Sequence, residues 1–211
     1  MSARRGLVVL PALIAGAGVL LGVAAPAPAA APADRASAPP EGVGQQLYAT
    51  QCASCHGTAG NGVDGRGPTL AGAGRAAVDF AVRTGRMPLA DPEMQARRRR
   101  VRYSEDEIRA LVDYAGALGS GPDIPAVDPE QGDLAAGGTL YRLNCAACHV
   151  ASGAGAAIGG AREAPDLMDS SPVDIGEAIL VGPGAMPSFG SFTPEDINSV
   201  ARYIGDLQER E

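Results

Sequence analysis

Five residues, Cys52-Ala53-Ser54-Cys55-His56, return 93 positions later (145 − 52) as Cys145-Ala146-Ala147-Cys148-His149. The chain holds 4 Cys and 2 His, and all six lie in these two clusters. The surroundings repeat as well. Leu47-Tyr48 precedes Cys52 as Leu140-Tyr141 precedes Cys145, and Gly44 maps onto Gly137 with the same offset. Pro68-Thr69-Leu70 is matched by Pro165-Asp166-Leu167 after a small insertion, and Met87-Pro88 by Met186-Pro187. Such self-similarity makes the chain a tandem of two small units rather than one large fold.

Each cluster spells C-x-x-C-H. Cysteines at i and i+3 share one side of a helical turn, where their sulfurs can form thioethers with the two vinyl groups of a haem, and the adjacent imidazole reaches the iron from the same face. A thioredoxin-like redox pair needs a βαβ context, which no strand-rich pattern supplies here. A structural zinc draws two cysteine pairs into one tetrahedron, whereas each copy here carries its own complete helix set. Two disulfides suit an exported chain but leave the histidine after each second cysteine unexplained. Haem attachment accounts for every residue: Cys52, Cys55, Cys145 and Cys148 as thioether carriers, His56 and His149 as iron ligands.

Elimination narrows the remaining iron ligand. With no third histidine in the chain, bis-imidazole ligation from within is excluded. Met87 and Met186, each followed by proline, lie 31 and 37 residues beyond their histidines in Gly/Pro loops unsuited to a helix. A methionine is more often core filler than ligand, but matching places in two copies favour ligation. Met94 is the fallback for the first iron, and Met94 and Met168 are otherwise filler. His/Met ligation fills both axial positions, so such an iron passes electrons and is closed to small ligands. The carbonyls around Pro68 and Pro165 are candidate acceptors for the histidine Nδ1 proton.

The rest of each unit reads as helix. Ser104 with Glu107, and Thr193 with Pro194 and Asp196, are capping signals. After them Ile108, Leu111, Val112, Ala115 and Leu118 recur at helical spacing, and Ile197, Val200, Ala201, Ile204 and Leu207 repeat it, with Tyr114 and Tyr203 at equivalent places. Only eight aromatic side chains occur (3 Phe, 5 Tyr, no Trp), so each unit of roughly eighty residues needs a staple or a large cofactor to complete its core. The expectation is all-α: two tandem haem-carrying domains at 41–120 and 133–211, joined by a Pro-rich, semi-rigid connector at 121–132.

Residues 1–40 read as an export signal or membrane anchor followed by an Ala/Pro linker. Arg4 and Arg5 precede an uncharged run from Gly6 to Ala25, long enough to span a bilayer if uncleaved, and Ala25-Pro26-Ala27 is among several small-x-small cleavage sites. Pro11 and the glycines of the run favour cleavage.

Net charge is −7, and every one of the 17 positive residues is Arg, which argues against nucleic acid as a partner. Residues 41–120 hold ten Arg and nine acids, and 121–211 four Arg and fourteen acids, near +1 and −10. The run Arg97 to Arg100 with Arg102 reads first as a solvated loop. Its sharper reading pairs it with the acidic second unit as docking surfaces for different electron-transfer partners.

Beyond the haem motifs stand Arg66-Gly67-Pro68-Thr69-Leu70, Ala77-Val78-Asp79-Phe80 leading to Thr84-Gly85-Arg86-Met87-Pro88, Tyr141-Arg142-Leu143-Asn144-Cys145, Ala164-Pro165-Asp166-Leu167, and Gly182-Pro183 before Met186-Pro187-Ser188-Phe189. In these combinations the chain resembles the dihaem cytochrome c subunits (cytochrome cc) of actinobacterial menaquinol:cytochrome c reductases, the bcc complexes that pass electrons directly to an aa3-type terminal oxidase. The resemblance covers about residues 44 to 208. It implies two tandem cytochrome c class I domains, each with a covalent haem c group, on Cys52, Cys55, His56 and Met87 and on Cys145, Cys148, His149 and Met186. It further implies the other reductase subunits and the oxidase as partners, at the extracytoplasmic face of the membrane. Members of that family end in a membrane-spanning helix, whereas this sequence stops at Glu211. Either Gly6 to Ala25 is then the sole anchor, or the chain is a soluble relative. The functional expectation is an electron relay within the reductase, with a free dihaem shuttle and a dihaem peroxidase as the alternatives.

Overall fold

Three helices start at a side chain that closes a reciprocal capping box. Ser104 accepts from the Glu107 N–H while Glu107 accepts from the Ser104 N–H, and Ser171 with Asp174 and Thr193 with Asp196 repeat the exchange. Each box satisfies two amide donors that a helix start otherwise leaves bare. The Ser171 box was not among the expected signals.

A computed structural model describes residues 42–210. The expected leader and linker at 1–40 lie outside the described residues. The first repeat comprises α1 (Val43–Gln51), α2 (Ala53–His56), α3 (Gly74–Arg83) and α4 (Glu105–Gly116). The second comprises α5 (Leu134–Asn144), α6 (Ala146–His149), α7 (Pro172–Val181) and α8 (Pro194–Gln208). Opening and closing helices pair in both, α1 on α4 and α5 on α8, while α3 leans on α4 and α7 on α8. The predicted stripes are the cores: Ile108, Leu111, Val112 and Ala115 around Tyr48, and Ile197, Val200, Ala201 and Ile204 around Tyr141. Tyr48 stacks obliquely on Tyr114 at 5.5 Å between ring centres, and Tyr141 on Tyr203 at 5.3 Å. Glycine is required where the paired helices cross. A Cβ at Gly44 would overlap the Ala110 carbonyl, and one at Gly137 the Ser199 carbonyl. That is why these two glycines share one offset with the cysteines.

The fold is helical but not purely so. Antiparallel strands β1 (Ala156–Gly159) and β2 (Arg162–Ala164) pair Ala156 with Ala164 and Ala157 with Glu163 through a bulged register. Pro165 lies 16 residues after His149 but Pro68 only 12 after His56, so this hairpin fills the four extra positions. The segment is built of Ala and Gly around one Ile, without the β-branched alternation that announces a strand.

The connector is fastened down rather than free. Ser120 N–H donates to the Ala71 carbonyl, Ala76 N–H to the Pro122 carbonyl, and Asp128 N–H to Asn198 Oδ1. Ile124 packs into the first core and Val127 into the second. The repeats also meet directly where α3 lies against α7. Beside that crossing the Gln95 amide pairs with the Glu163 backbone in both directions, at 2.7 and 3.0 Å. Arg97 reaches the Glu163 carboxylate at 2.8 Å, and Arg98 the Asp174 carboxylate at 2.7 Å. Thus the arginine run is not simply a solvated loop: two of its members clamp one repeat to the other. Among the described residues no helix is long and apolar enough to cross a membrane.

Candidate functional site

Each C-x-x-C-H begins where a long helix breaks. Cys52 caps α1 with φ −121° and ψ −37°, and Cys145 caps α5 with φ −114° and ψ −39°; one further turn follows in each case, ending at the histidine. The His56 N–H donates to the Cys52 carbonyl and the His149 N–H to the Cys145 carbonyl, both at 2.9 Å. The two cysteines of each motif therefore stand one turn apart with the imidazole beside the second. Cys52 and Cys145 pack against their cores, and Cys148 is exposed. All four are unbridged thiols. Burial, and then the neighbouring cysteine, pushes Cys52 and Cys145 up to about 11.

The imidazoles are oriented identically. His56 Nδ1 lies 2.8 Å from the Pro68 carbonyl and His149 Nδ1 2.9 Å from the Pro165 carbonyl. A carbonyl only accepts, so Nδ1 carries the proton and Nε2 presents a lone pair, the state an iron ligand requires. The backbone just past each histidine is held too. Tyr48 donates its hydroxyl to the Gly57 carbonyl at 2.7 Å, and Tyr141 to the Val150 carbonyl at 2.8 Å. Val150 adopts φ 54°, a left-handed conformation that a β-branched residue holds only under such constraint.

Met87 faces the first motif. Cys52, Cys55, His56, Pro68 and Met87 line one open cleft of about 530 Å³, within the size range of cofactor pockets. The loop carrying Met87 leaves α3 through Gly85, whose Cβ would overlap the Arg99 carbonyl, and returns when the Met87 N–H donates to the Ala81 carbonyl at 2.9 Å. Met94 is 52% exposed and lies outside the residues lining the cleft, so the fallback ligand is not the one brought to the first motif. In the second repeat the loop leaves α7 through the left-handed Gly182, and Met186, partly buried, donates its N–H to the Pro183 carbonyl at 3.1 Å. Met168 lies against Gly153. Two thiols, an Nδ1-protonated imidazole and a thioether around one cleft form the donor set a covalently attached haem takes, and these residues fit it.

One group of residues went unnoticed in the sequence. Asp79, Asp174 and Glu177 are buried carboxyl side chains at the α3–α7 contact. The available signal was the alignment of α3 with α7, which puts Asp79 and Glu177 at equivalent positions.

The family described as "Cytochrome C oxidase, cbb3-type, subunit III" matches twice, over residues 40–114 and 132–204. The chain is 42% identical to the cytochrome bc1 complex cytochrome c subunit of Mycobacterium tuberculosis over 183 residues, which are 83% of this chain and 65% of that one. It is 42% identical to the subunit of that name from Mycobacterium leprae, covering 88% of this chain and 66% of the relative. The protein of the same name from Corynebacterium diphtheriae is 34% identical, with 97% of this chain and 79% of that one aligned. The chain thus spans about two thirds of the mycobacterial relatives' length. Two cytochrome c domains, each with its C-x-x-C-H, imply two covalently bound haem c groups. On its double match and its relatives, the chain belongs to the family of cytochrome bc1 complex cytochrome c subunits.

Proposed function

We propose that this protein is the dihaem electron relay of a menaquinol:cytochrome c reductase. Its haem domains would span about residues 41–120 and 133–211, exported to the outer face of the cell membrane beside the other reductase subunits and a terminal oxidase. The observation that carries the reading is the doubled site: two C-x-x-C-H turns, each with its histidine Nδ1 pinned to a proline carbonyl. Cys52, Cys55, Cys145 and Cys148 would carry the thioethers, and His56 with Met87 and His149 with Met186 would hold the two irons. Haem iron so held supplies one-electron exchange between its ferrous and ferric states.

The residues do the rest. The proline carbonyls fix each imidazole's tautomer and orientation, so a metal-binding nitrogen is presented without rearrangement of the ring. Tyr48 and Tyr141 hold the chain just past each histidine, and the loops of Met87 and Met186 would bring a thioether to each haem. The α3–α7 contact, the Gln95–Glu163 pairing and the two arginine clamps keep the repeats in one arrangement, which a relay between two centres requires. Arg99, Arg100 and Arg102 remain exposed for an acidic partner surface.

The test is reconstitution: purified full chain added to the other reductase subunits and oxidase should restore menaquinol-dependent oxygen consumption. A free shuttle would instead turn over in solution without binding them. Peroxidase activity with one high-spin haem would replace the relay with an enzyme.

A further inference from the structure

The contact between the repeats is made by equivalent helices. Shifting α3 by 98 positions (172 − 74) superposes Gly74–Arg83 on Pro172–Val181 and puts Asp79 on Glu177 (177 − 79). Both are buried, Asp79 at 3% exposure and Glu177 at 0%. Their surroundings differ. Arg83 grips Asp79 with two nitrogens, at 2.8 and 3.0 Å, and passes a third bond to Glu105 at 2.7 Å. Arg98 bonds Asp174 at 2.7 Å, and Asp174 also accepts from the Ser171 N–H. Neither oxygen of Glu177 accepts from a donor, and the group within hydrogen-bond reach of it is the Asp79 carboxyl.

A carboxylate in that position would be an unpaired charge out of water beside a second carboxylate, which proteins avoid by neutralising the group. We propose that Glu177 and Asp79 form a proton-binding site at the seam between the two repeats. It holds one proton at neutral pH on Glu177, beside the Asp79 carboxyl that Arg83 grips, and that proton keeps α3 against α7. Burial first, then Asp79, then Asp174 raise the Glu177 pKa well above the carboxylate range, while Arg83 opposes them. The other charges nearby are Arg98 and Arg86, whose Nη1 is itself buried without a partner. From α8 and the connector, Ile197, Val127 and Pro125 meet α7 at Gly176, and all are apolar. Arg83 is committed to Asp79 and Glu105, Arg98 to Asp174, and Arg86 lies over the Phe80 ring, and no described hydrogen bond or ion pair joins any of the three to Glu177.

The site bears on both metal loops. Met87 follows Asp79 by eight residues and Met186 follows Glu177 by nine. The Met87 N–H returns to the Ala81 carbonyl of α3, and the Phe189 N–H to the Ile179 carbonyl of α7. Parting these helices would disturb the two straps together.

The experiment is infrared spectroscopy of the haem-loaded full chain titrated from acid to alkaline pH, alongside Glu177→Gln and Asp79→Asn. A protonated-carboxyl C=O band that persists at neutral pH, shifts in D₂O and vanishes in Glu177→Gln is the expected result. In Asp79→Asn the same band should titrate at lower pH, because the neighbouring negative charge is gone. Wild-type protein lacking any protonated-carboxyl band at neutral pH would overturn the proposal even if neither variant folds. So would a band that survives Glu177→Gln. Through the alkaline end of the titration, small-angle scattering of the wild type should show an expanded particle as the proton leaves, and unchanged dimensions would remove the seam-holding role.

Discussion

Replacing Tyr141 by Phe removes one hydroxyl from a side chain with 0% exposure and leaves the ring packing untouched. The lost partner is the Val150 carbonyl, 2.8 Å away, one residue past His149 and in a left-handed conformation. A neutral hydrogen bond contributes about 0.5–1.5 kcal/mol net, and a buried acceptor left unpaired costs about 1–3 kcal/mol. Val150 is only partly buried, so water can recover some of the loss, and we expect about 1–2 kcal/mol of destabilisation in urea unfolding of the haem-loaded protein. The effect must also be local. Tyr141 holds the second histidine turn and Tyr48 the first, through the Gly57 carbonyl at 2.7 Å. Tyr141→Phe should therefore shift the midpoint potential of one haem and Tyr48→Phe that of the other, read by spectroelectrochemical titration. Either variant shifting both potentials equally, or unfolding with no change at all, would refute the claim that these hydroxyls seat the histidine turns.

Further outcomes follow from the packing and the charges. Gly137→Ala drives a methyl into the Ser199 carbonyl where α5 crosses α8, and overpacking of this kind costs about 1–3 kcal/mol, measurable as a lowered thermal midpoint. Arg98→Ala strips the buried Asp174 of its cation; Arg98 is 35% exposed and Asp174 keeps its Ser171 bond, so we expect about 1–3 kcal/mol in denaturant titration rather than the full cost of a buried orphan charge. The raised Glu177 pKa gives a signed pH dependence. Between the ordinary Glu value and the raised one the folded state binds the extra proton, so stability is full at acid pH and falls as pH rises through that window. Glu177→Gln should flatten that slope in unfolding curves across the same range.

Much of this molecule is written locally. The haem turns need only five contiguous residues, and the closing helices announce themselves by a capping Ser104 or Thr193 and a stripe such as Ile108, Leu111, Val112 and Ala115. The carbonyls of Pro68 and Pro165 were foreseeable because each proline follows its motif in both copies. The β1–β2 hairpin was not, since Ala156 to Ala164 carries turn residues and no strand alternation. Nor were the seam residues. Asp79 and Glu177 look like solvent-facing acids in short helices, and only the meeting of α3 with α7 buries them. Arg97 and Arg98 read as part of a solvated run because their partners, Glu163 and Asp174, lie in the other repeat. Contacts between repeats depend on how two finished units dock, which no short window of sequence contains.

The central claim is two thioether-bound haems, each with a histidine on one side and a methionine on the other. The measurement that bears on it most directly is a pyridine haemochrome quantitation of the exported full chain, combined with near-infrared absorption of the oxidised protein. The account predicts two c-type haems per polypeptide and a methionine-to-ferric-iron charge-transfer band accounting for both. A colourless protein, a single haem, or zinc bound through Cys52, Cys55, Cys145 and Cys148 would contradict it.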